Sequence, residues 1–202
     1  MSDIAWLRPP GPVARGLRIG LMGGSFNPAH EGHLYVAESA LKRLGLDYVW
    51  WLAAPQNPLK PADGMAPFGE RLKAARKLVG RQPRIIVSDI EARLGSRYTI
   101  DTLKALHRRF PEARFVWLMG SDNLEQFHHW RNWQEIARRI PIAVVLRPGS
   151  VLAPLKAKAV RRFGLAKSLR RPPAIVALDG HRNQASATAI RTLGAANSAM
   201  VG

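Results

Sequence analysis

Residues 23–33, which read GGSFNPAHEGH, constrain the fold more than any other stretch of this sequence. Before them, the apolar run at 17–22 is typical of a buried strand. After them, apolar side chains recur at helical spacing and form one stripe, made of Leu34, Ala37, Leu41 and Leu44. The chain is therefore predicted to pass from a strand into a helix through a glycine-rich turn.

This turn carries groups that suit a phosphate. Gly23 and Gly24 allow backbone N–H groups to approach an anion closely, and the positive end of the following helix dipole favours negative charge. His30 and His33 are three residues apart, so a helix that begins near His30 places both on one face of its first turn. Glycine pairs and single histidines are common by themselves, but their combination on one strand-to-helix turn indicates a functional site.

Composition limits the class of protein. The chain has 202 residues, 47% of them hydrophobic, which is enough for one well-filled α/β domain. It has no cysteine, which excludes disulfides and thiolate metal sites. Apolar runs stay below the eighteen or so residues of a membrane span, and the first residues lack the apolar centre of a signal peptide. We therefore expect a cytoplasmic protein.

Charge points to polyanionic partners. Lysine and arginine number 31 against 14 acidic residues, a net charge of +17. Such an excess suits nucleic acid, and it suits nucleotide substrates with several phosphates equally well. Charge alone does not decide between the two.

Strand and helix patterns alternate along most of the chain. Strands are predicted near 17–23, 47–54, 84–87, 114–120, 142–146 and 174–178, and helices near 30–44, 68–79, 98–109 and 154–163. This alternation predicts an α/β fold, a Rossmann-like doubly wound parallel sheet with helices on both faces and a small C-terminal helical extension. The prolines and glycines before residue 17 predict a flexible N-terminal arm at 1–16, with one domain at 17–202.

In such sheets ligands bind beyond the carboxyl ends of the strands. The candidate segments share that position, since 23–33, 57–60, 120–122 and Arg147 all follow predicted strands. The proline-rich segment 55–67 is predicted as a lid or binding loop. A further segment, 186–191, has the form of a capped helix start that could meet phosphate.

Five motifs together resemble the bacterial nicotinate mononucleotide adenylyltransferases, in the superfamily that shares the HIGH motif. They are GGSFNPAHEGH at 23–33, PQNPLK at 55–60, SRYTIDTL at 96–103, GSDNL with FHHWRNW at 120–133, and SATAIR at 186–191. They follow the order of the family along nearly the whole chain, which is more specific than any single motif. Leu59 stands where many members have histidine.

The resemblance implies transfer of the adenylyl group of ATP to nicotinate mononucleotide in NAD biosynthesis, with release of pyrophosphate. A nucleotide phosphate has its second pKa at about 6, so the attacking group is largely a dianion already and needs no general base. The site has to align two polyanions and neutralise their charge. Mg²⁺ is expected to bridge the phosphates, held mostly by substrate oxygens and water.

The resemblance also assigns roles to residues. The implied catalytic residues, which contact phosphate, are His30, His33, Lys60 and Arg191. Implied ATP-binding residues are Gly23, Gly24, Ser25, Phe26, Gly32, Gly120, Asp122, Arg147, Ser186, Thr188 and Arg191. Asp122 would hold a ribose hydroxyl, and Gly32 would let the adenine side pack against the helix. Implied residues for nicotinate mononucleotide are Asn57, Lys60, Tyr98, Thr99, Trp130 and Arg131.

Trp130 would stack on the pyridine ring, and the backbone N–H groups near Tyr98 and Thr99 would receive the nicotinate carboxylate. Simpler interpretations are a core tryptophan at Trp130 and a solvated lysine at Lys60.

Two alternative functions stay open at this point. One is an adenylyltransferase of the same fold that acts on nicotinamide mononucleotide or phosphopantetheine. The other is a basic nucleic-acid-binding module, which would bind DNA or RNA in a salt-dependent way. ATP and nicotinate mononucleotide are the expected partners, without stable nucleic acid or a membrane, and the sequence does not predict the oligomeric state.

Overall fold

The computed structural model describes residues 4–56, 64–146 and 156–178. Within these ranges the strands are β1 (Arg18–Gly24), β2 (Tyr48–Ala53), β3 (Ile85–Ser88), β4 (Arg114–Gly120), β5 (Ile142–Val145) and β6 (Ile175–Leu178). The helices are α1 (Glu31–Leu44), α2 (Phe68–Val79), α3 (Ile90–Leu94), α4 (Thr99–Arg109), α5 (Ser121–Gln126), α6 (Trp133–Arg139) and α7 (Lys158–Phe163), with a 3-10 turn at Phe127–His129.

The six strands form one parallel sheet in the order β3-β2-β1-β4-β5-β6. The chain runs outward from β1 to β3, then returns to place β4 against the other side of β1 and continues to β6. The predicted doubly wound parallel sheet is therefore confirmed. Its strand order reverses between β1 and β4, which is where such sheets open a crevice for ligands.

Each face of the sheet has its own hydrophobic core. Side chains of β2 alternate between them, with Trp50 and Leu52 in one core and Val49 and Trp51 in the other. Helices α1 and α2 cover the face of Trp51, while α4 and α6 cover the face of Trp50. Burial on both faces explains why the central strands are continuous apolar runs.

Most predicted elements lie where expected. The predicted bounds of α2 and β4 match, and α1 ends at Leu44 because Gly45 takes the left-handed conformation, with φ 58°. Helices α3, α5 and α6 were not predicted, since five to seven residues cover too few turns to show a period. The helix predicted at 154–163 lies only partly within the described residues. None of the described helices is long and apolar enough to cross a bilayer.

The N-terminal segment, predicted from its prolines and glycines to be a flexible arm, makes several contacts with the rest of the domain. Leu7 is fully buried in the same core as Trp50, and its carbonyl accepts a hydrogen bond from Arg109 Nε at 3.1 Å. Gly11 lies so close to Ile86 that an added Cβ would be 2.1 Å from its Cδ1. These contacts join residues far apart in the chain, so no local pattern reports them.

Leu7→Ala is expected to lower the free energy of unfolding by about 2 kcal/mol, because it removes buried methyl groups from a segment that can partly close the cavity. Urea unfolding followed by circular dichroism measures the change. Leu165→Ala is the matched control, since that side chain is 44% exposed and should change stability by less than about 0.5 kcal/mol. An equally small change at Leu7 would contradict its place in the core.

Candidate active site

A cleft of about 400 Å³ opens at the carboxyl ends of β1 and β4, where the strand order reverses. Its walls come from the turn after β1, the residues after β2 and β4, helix α3 and the start of α4. Of the residues singled out from the sequence, the cleft collects Gly23, Gly24, Ser25, His33, Tyr98, Thr99, Gly120, Trp130 and Arg131.

Other predicted residues lie elsewhere. Phe26 is buried and stacks on Trp51 with ring centroids 4.9 Å apart, while His30, Gly32 and Asp122 are exposed and do not line this cleft. The remaining predictions fall outside the described residues, at Asn57, Lys60, Arg147, Ser186, Thr188 and Arg191.

Gly23 has a packing role as well as a place in the turn. A Cβ added there would lie 2.7 Å from Cη2 of Trp117, on the neighbouring strand β4. A larger residue would therefore have to displace the buried ring of Trp117 beneath the cleft. This requirement was not visible in the sequence, because it depends on which strand pairs with β1.

The two histidines cap helix α1. His30 Nδ1 accepts a hydrogen bond from the Gly32 N–H at 3.1 Å, and His33 Nδ1 accepts one from the His30 N–H at 3.2 Å. Their ring centroids are 3.9 Å apart, as the spacing of three residues predicted. Because each Nδ1 is an acceptor, the proton of each neutral ring is assigned to Nε2, which can donate to a ligand oxygen.

Arg71 holds the turn after β1 in place through hydrogen bonds, a role that was not predicted from the sequence. Its side chain is 3% exposed and donates to the carbonyl oxygens of Ser25, Ala54, Pro55 and Ala66. Burial lowers the pKa of this guanidinium from its ordinary value. The sequence held one indication that Arg71 is buried, because it lies on the buried stripe of α2, four residues before Ala75.

Asn27 makes a second connection between the same regions. Its side chain donates to the Gly64 carbonyl at 3.2 Å and accepts from the Ala66 N–H at 3.1 Å. Asn27 and Arg71 together attach the turn after β1 to the segment that leads into α2.

The far end of the cleft is aromatic and basic. Trp130 is half-buried and meets Trp117 and Phe127 edge-on, with ring centroids 5.9 and 5.4 Å away. The Arg131 guanidinium lies 4.5 Å from the ring centroid of Tyr98, a cation–π distance. Trp130 therefore combines the two interpretations weighed from the sequence, since it packs on the core and also lines the cleft.

Helix α4 begins at this end. Its N-cap residue is Tyr98, whose side chain makes no capping hydrogen bond. The first N–H groups of a helix have no partner within the helix, and the helix dipole makes this end positive. The start of α4 is thus suited to an anionic group.

Glu91 is the acidic residue of the cleft within the part of the chain that the structure describes, and no periodic pattern marks it because α3 has only five residues. Its side chain accepts a hydrogen bond from Thr102 Oγ1 at 3.2 Å, and Thr102 Oγ1 lies 2.7 Å from Ser96 Oγ. Burial raises the pKa of Glu91 to about 7, against the opposing effect of the hydrogen bond from Thr102. Gln56, Arg97, Asn123 and His129 also line the cleft without having been predicted.

The donor set of the cleft suits phosphates. It offers peptide N–H groups, imidazole and guanidinium, which bind anionic oxygens. Across the described parts of the chain, no three His, Cys, Asp or Glu side chains are grouped in a way that could hold a metal ion.

Comparison with known proteins gives consistent results. Residues 21–193 match the model of the cytidylyltransferase-like family. A protein of Parvibaculum lavamentivorans named "Probable nicotinate-nucleotide adenylyltransferase" is 56% identical over 188 residues, which cover 89% of this chain and 93% of that protein. A protein of the same name from Cereibacter sphaeroides is 50% identical, with coverage of 87% and 97%.

Solved structures share the fold at low sequence identity. The nicotinic acid mononucleotide adenylyltransferase of Plasmodium falciparum complexed with NaAD has a TM-score of 0.62 and 17% identity, over 82% of this chain and 76% of that one. The same enzyme complexed with APC has a TM-score of 0.61 and 16% identity, with the same coverage. At this identity the likeness concerns the fold alone.

Proposed function

This chain belongs to the nicotinate-nucleotide adenylyltransferase family, and we propose that it transfers the adenylyl group of ATP to nicotinate mononucleotide. The products are nicotinate adenine dinucleotide and pyrophosphate, within NAD biosynthesis. The observation that supports this most is one cleft that joins a glycine turn and His33 to an aromatic, basic end with Tyr98 and Trp130. The cytoplasm remains the compartment expected from the sequence.

The reaction needs positioning more than acid–base chemistry. A phosphate oxygen of nicotinate mononucleotide attacks the α-phosphorus of ATP, a new P–O bond forms, and the bond to the bridging oxygen breaks as pyrophosphate leaves. The acceptor phosphate is mostly a dianion at neutral pH, so no proton has to be removed first. The transition state is stabilised by donors already aimed at the phosphate oxygens.

His33 and the backbone of the glycine turn are the donors proposed for the ATP phosphates. His30 lies against His33 and supports its orientation through the capping bonds. The roles of Asp122 at the ribose and of Gly32 at the adenine side stay predictions from the sequence, since neither residue lines the cleft. The remaining phosphate contacts stay predictions from the sequence, at Lys60, Arg147, Ser186, Thr188 and Arg191.

Mg²⁺ would be held by substrate phosphate oxygens and water. A cleft lined by N–H donors suits that arrangement, because the donors bind the outer phosphate oxygens and the ion can use the others. When bound, the ion withdraws charge from the phosphates and makes pyrophosphate a better leaving group.

The acceptor is proposed to lie at the end formed by Trp130 and the start of α4. The pyridine ring would stack on Trp130, and the first N–H groups of α4, near Tyr98 and Thr99, would receive the nicotinate carboxylate. A carboxylate accepts these bonds with a full negative charge, whereas a carboxamide is neutral and brings donors of its own. Acid is therefore expected to be preferred over amide.

Trp130→Ala is expected to raise the KM for nicotinate mononucleotide about tenfold, because it removes the stacking surface, worth about 1 kcal/mol beyond burial. The KM for ATP should change less than about twofold, since ATP is placed at the other end. Trp130→Phe keeps an aromatic face and should give an intermediate KM. Equal rises of both KM values would mean that the change disturbs the whole cleft and would contradict the stacking role.

Pyrophosphate release tests the function directly. Purified protein with ATP is given nicotinate mononucleotide, nicotinamide mononucleotide or phosphopantetheine in parallel reactions. We expect the highest kcat/KM with nicotinate mononucleotide. A clear preference for either other acceptor would overturn the acceptor assignment, and no turnover with any of the three would overturn the proposed reaction.

A further inference from the structure

We propose that Glu91 is a specificity-determining residue of the acceptor site, which binds the acidic acceptor with its own carboxyl group protonated. The inference rests on the proposed function, because only that function brings a second carboxylate to this end of the cleft. Binding would then take up a proton from solvent whenever Glu91 is ionised in the free enzyme.

The first argument is the place of Glu91. It is 7% exposed, yet it lines the cleft together with Tyr98 and Thr99. Its Oε1 accepts from Thr102 Oγ1 at 3.2 Å, and Thr102 stands in the first turn of α4. The Glu91 carboxyl group therefore lies against the same helix start that is proposed to receive the nicotinate carboxylate.

The second argument is competition between the two acids. One helix N-terminus favours one negative charge, and two carboxylates at the same place repel each other. Sharing a single proton between them removes the repulsion and adds a hydrogen bond, as in other paired carboxyl groups. A carboxamide is neutral and can donate its N–H groups to an ionised Glu91, so its binding would not require uptake of a proton.

The third argument is that both forms of Glu91 are accessible near neutral pH. Burial favours the neutral acid and raises the pKa of Glu91 to about 7. In the described ranges, the other charged or titratable side chains that line the cleft are His33, Arg97, Tyr98, His129 and Arg131.

The charged side chains Asp89, Arg93 and Asp101, near the start of α4, do not take the place of Glu91 in the cleft. Arg93, in the same helix α3 as Glu91, forms an ion pair at 3.0 Å with Asp89, which is the N-cap residue of α3. Asp101, in the first turn of α4, is exposed. Glu91 is thus the carboxyl group of this region that lines the cleft, among the residues that the structure describes.

Glu91→Gln tests the proposal through a pH profile. The measured quantity is the Kd of wild type for nicotinate mononucleotide divided by the Kd of E91Q. We expect this ratio to rise about tenfold from pH 6 to pH 8, because the protonated fraction of a group with a pKa of about 7 falls from roughly 0.9 to 0.1. The ionisation of the ligand phosphate is common to both proteins and cancels in the ratio. A ratio constant within twofold would overturn the proposal.

Asp89→Asn is the matched control, since it removes a carboxylate from the same helix outside the cleft. The Kd of D89N should follow that of wild type at every pH. A D89N profile like that of E91Q would mean that any charge lost from α3 has this effect, and would overturn the specific role of Glu91.

E91Q is expected to fold, because the amide oxygen can still accept from Thr102 and a buried ionisable group becomes neutral. If E91Q does not fold, a measurement on wild type alone still tests the proposal. Calorimetric titrations at pH 7.5 in two buffers of different ionisation enthalpy count the protons taken up on binding. Nicotinate mononucleotide should take up at least about half a proton more than nicotinamide mononucleotide, which carries the same phosphate. Equal uptake by the two ligands would overturn the proposal.

The two proposals fail in different ways. A wild type that neither binds nor adenylylates nicotinate mononucleotide overturns both. A wild type that turns it over, with a pH profile shared by E91Q, keeps the proposed function and removes Glu91 from acceptor recognition.

Discussion

His33→Ala is expected to lower turnover about a hundredfold or more while the protein stays folded. Loss of one preorganised donor to developing charge typically has an effect of this size. His33 lines the cleft, and its Nδ1 accepts from the His30 N–H, which places the proton of a neutral ring on Nε2. Removing this helix-capping acceptor should cost only about 1 kcal/mol of stability, which is too little to unfold the domain.

Steady-state pyrophosphate release gives kcat for H33A, and thermal unfolding checks its fold. His128→Ala is the control histidine, because its Nδ1 is within hydrogen-bond distance of the Glu125 carbonyl and it does not line the cleft. Its kcat should remain within about twofold of wild type. Near-normal turnover of H33A would remove His33 from the chemistry.

Arg71→Met is expected to lower the free energy of unfolding by about 4 kcal/mol. The guanidinium satisfies four backbone carbonyls, and an unsatisfied buried group costs about 1–3 kcal/mol. Water can restore some of these bonds, so the loss should be smaller than the full sum. Turnover should fall as well, because the turn after β1 and the segment before α2 lose their common support.

Chemical denaturation measures the stability of R71M. Arg76→Met, on the exposed face of the same helix, should change stability by less than about 0.5 kcal/mol. Arg71→Lys keeps the charge but cannot match the planar fork of donors, so an intermediate loss is expected. A loss below about 1 kcal/mol for R71M would show that the four carbonyls find other partners.

Arg71 also polarises backbone N–H groups in the turn after β1 and in the segment after β2. A trans peptide unit points its C=O and N–H in opposite directions, so the guanidinium on the Ser25 carbonyl polarises the unit that carries the Phe26 N–H. The bond to the Pro55 carbonyl does the same for the N–H of Gln56, which lines the cleft. A buried cation thus strengthens backbone donors without touching the ligand itself.

Local sequence pattern was sufficient for the elements that are long or buried on both faces. Strand β4 and helix α2 were predicted to the residue, because an apolar run indicates a buried strand and an amphipathic stripe indicates a helix. The short helices α3, α5 and α6 were missed, and with α3 the cleft residue Glu91. Placement of the His33 turn at a strand end was correct, since it follows from the preceding apolar run.

Local sequence was enough to locate the six strands and the long helices, and therefore the residues that follow the carboxyl ends of strands. The positions of β4 beside β1, of Leu7 in the core and of Arg71 against the glycine turn depend on the tertiary fold. The reason is distance along the chain. Arg71 and Ser25 are 46 residues apart, and Arg109 and Leu7 are 102 apart, so their contacts exist only once the sheet has assembled.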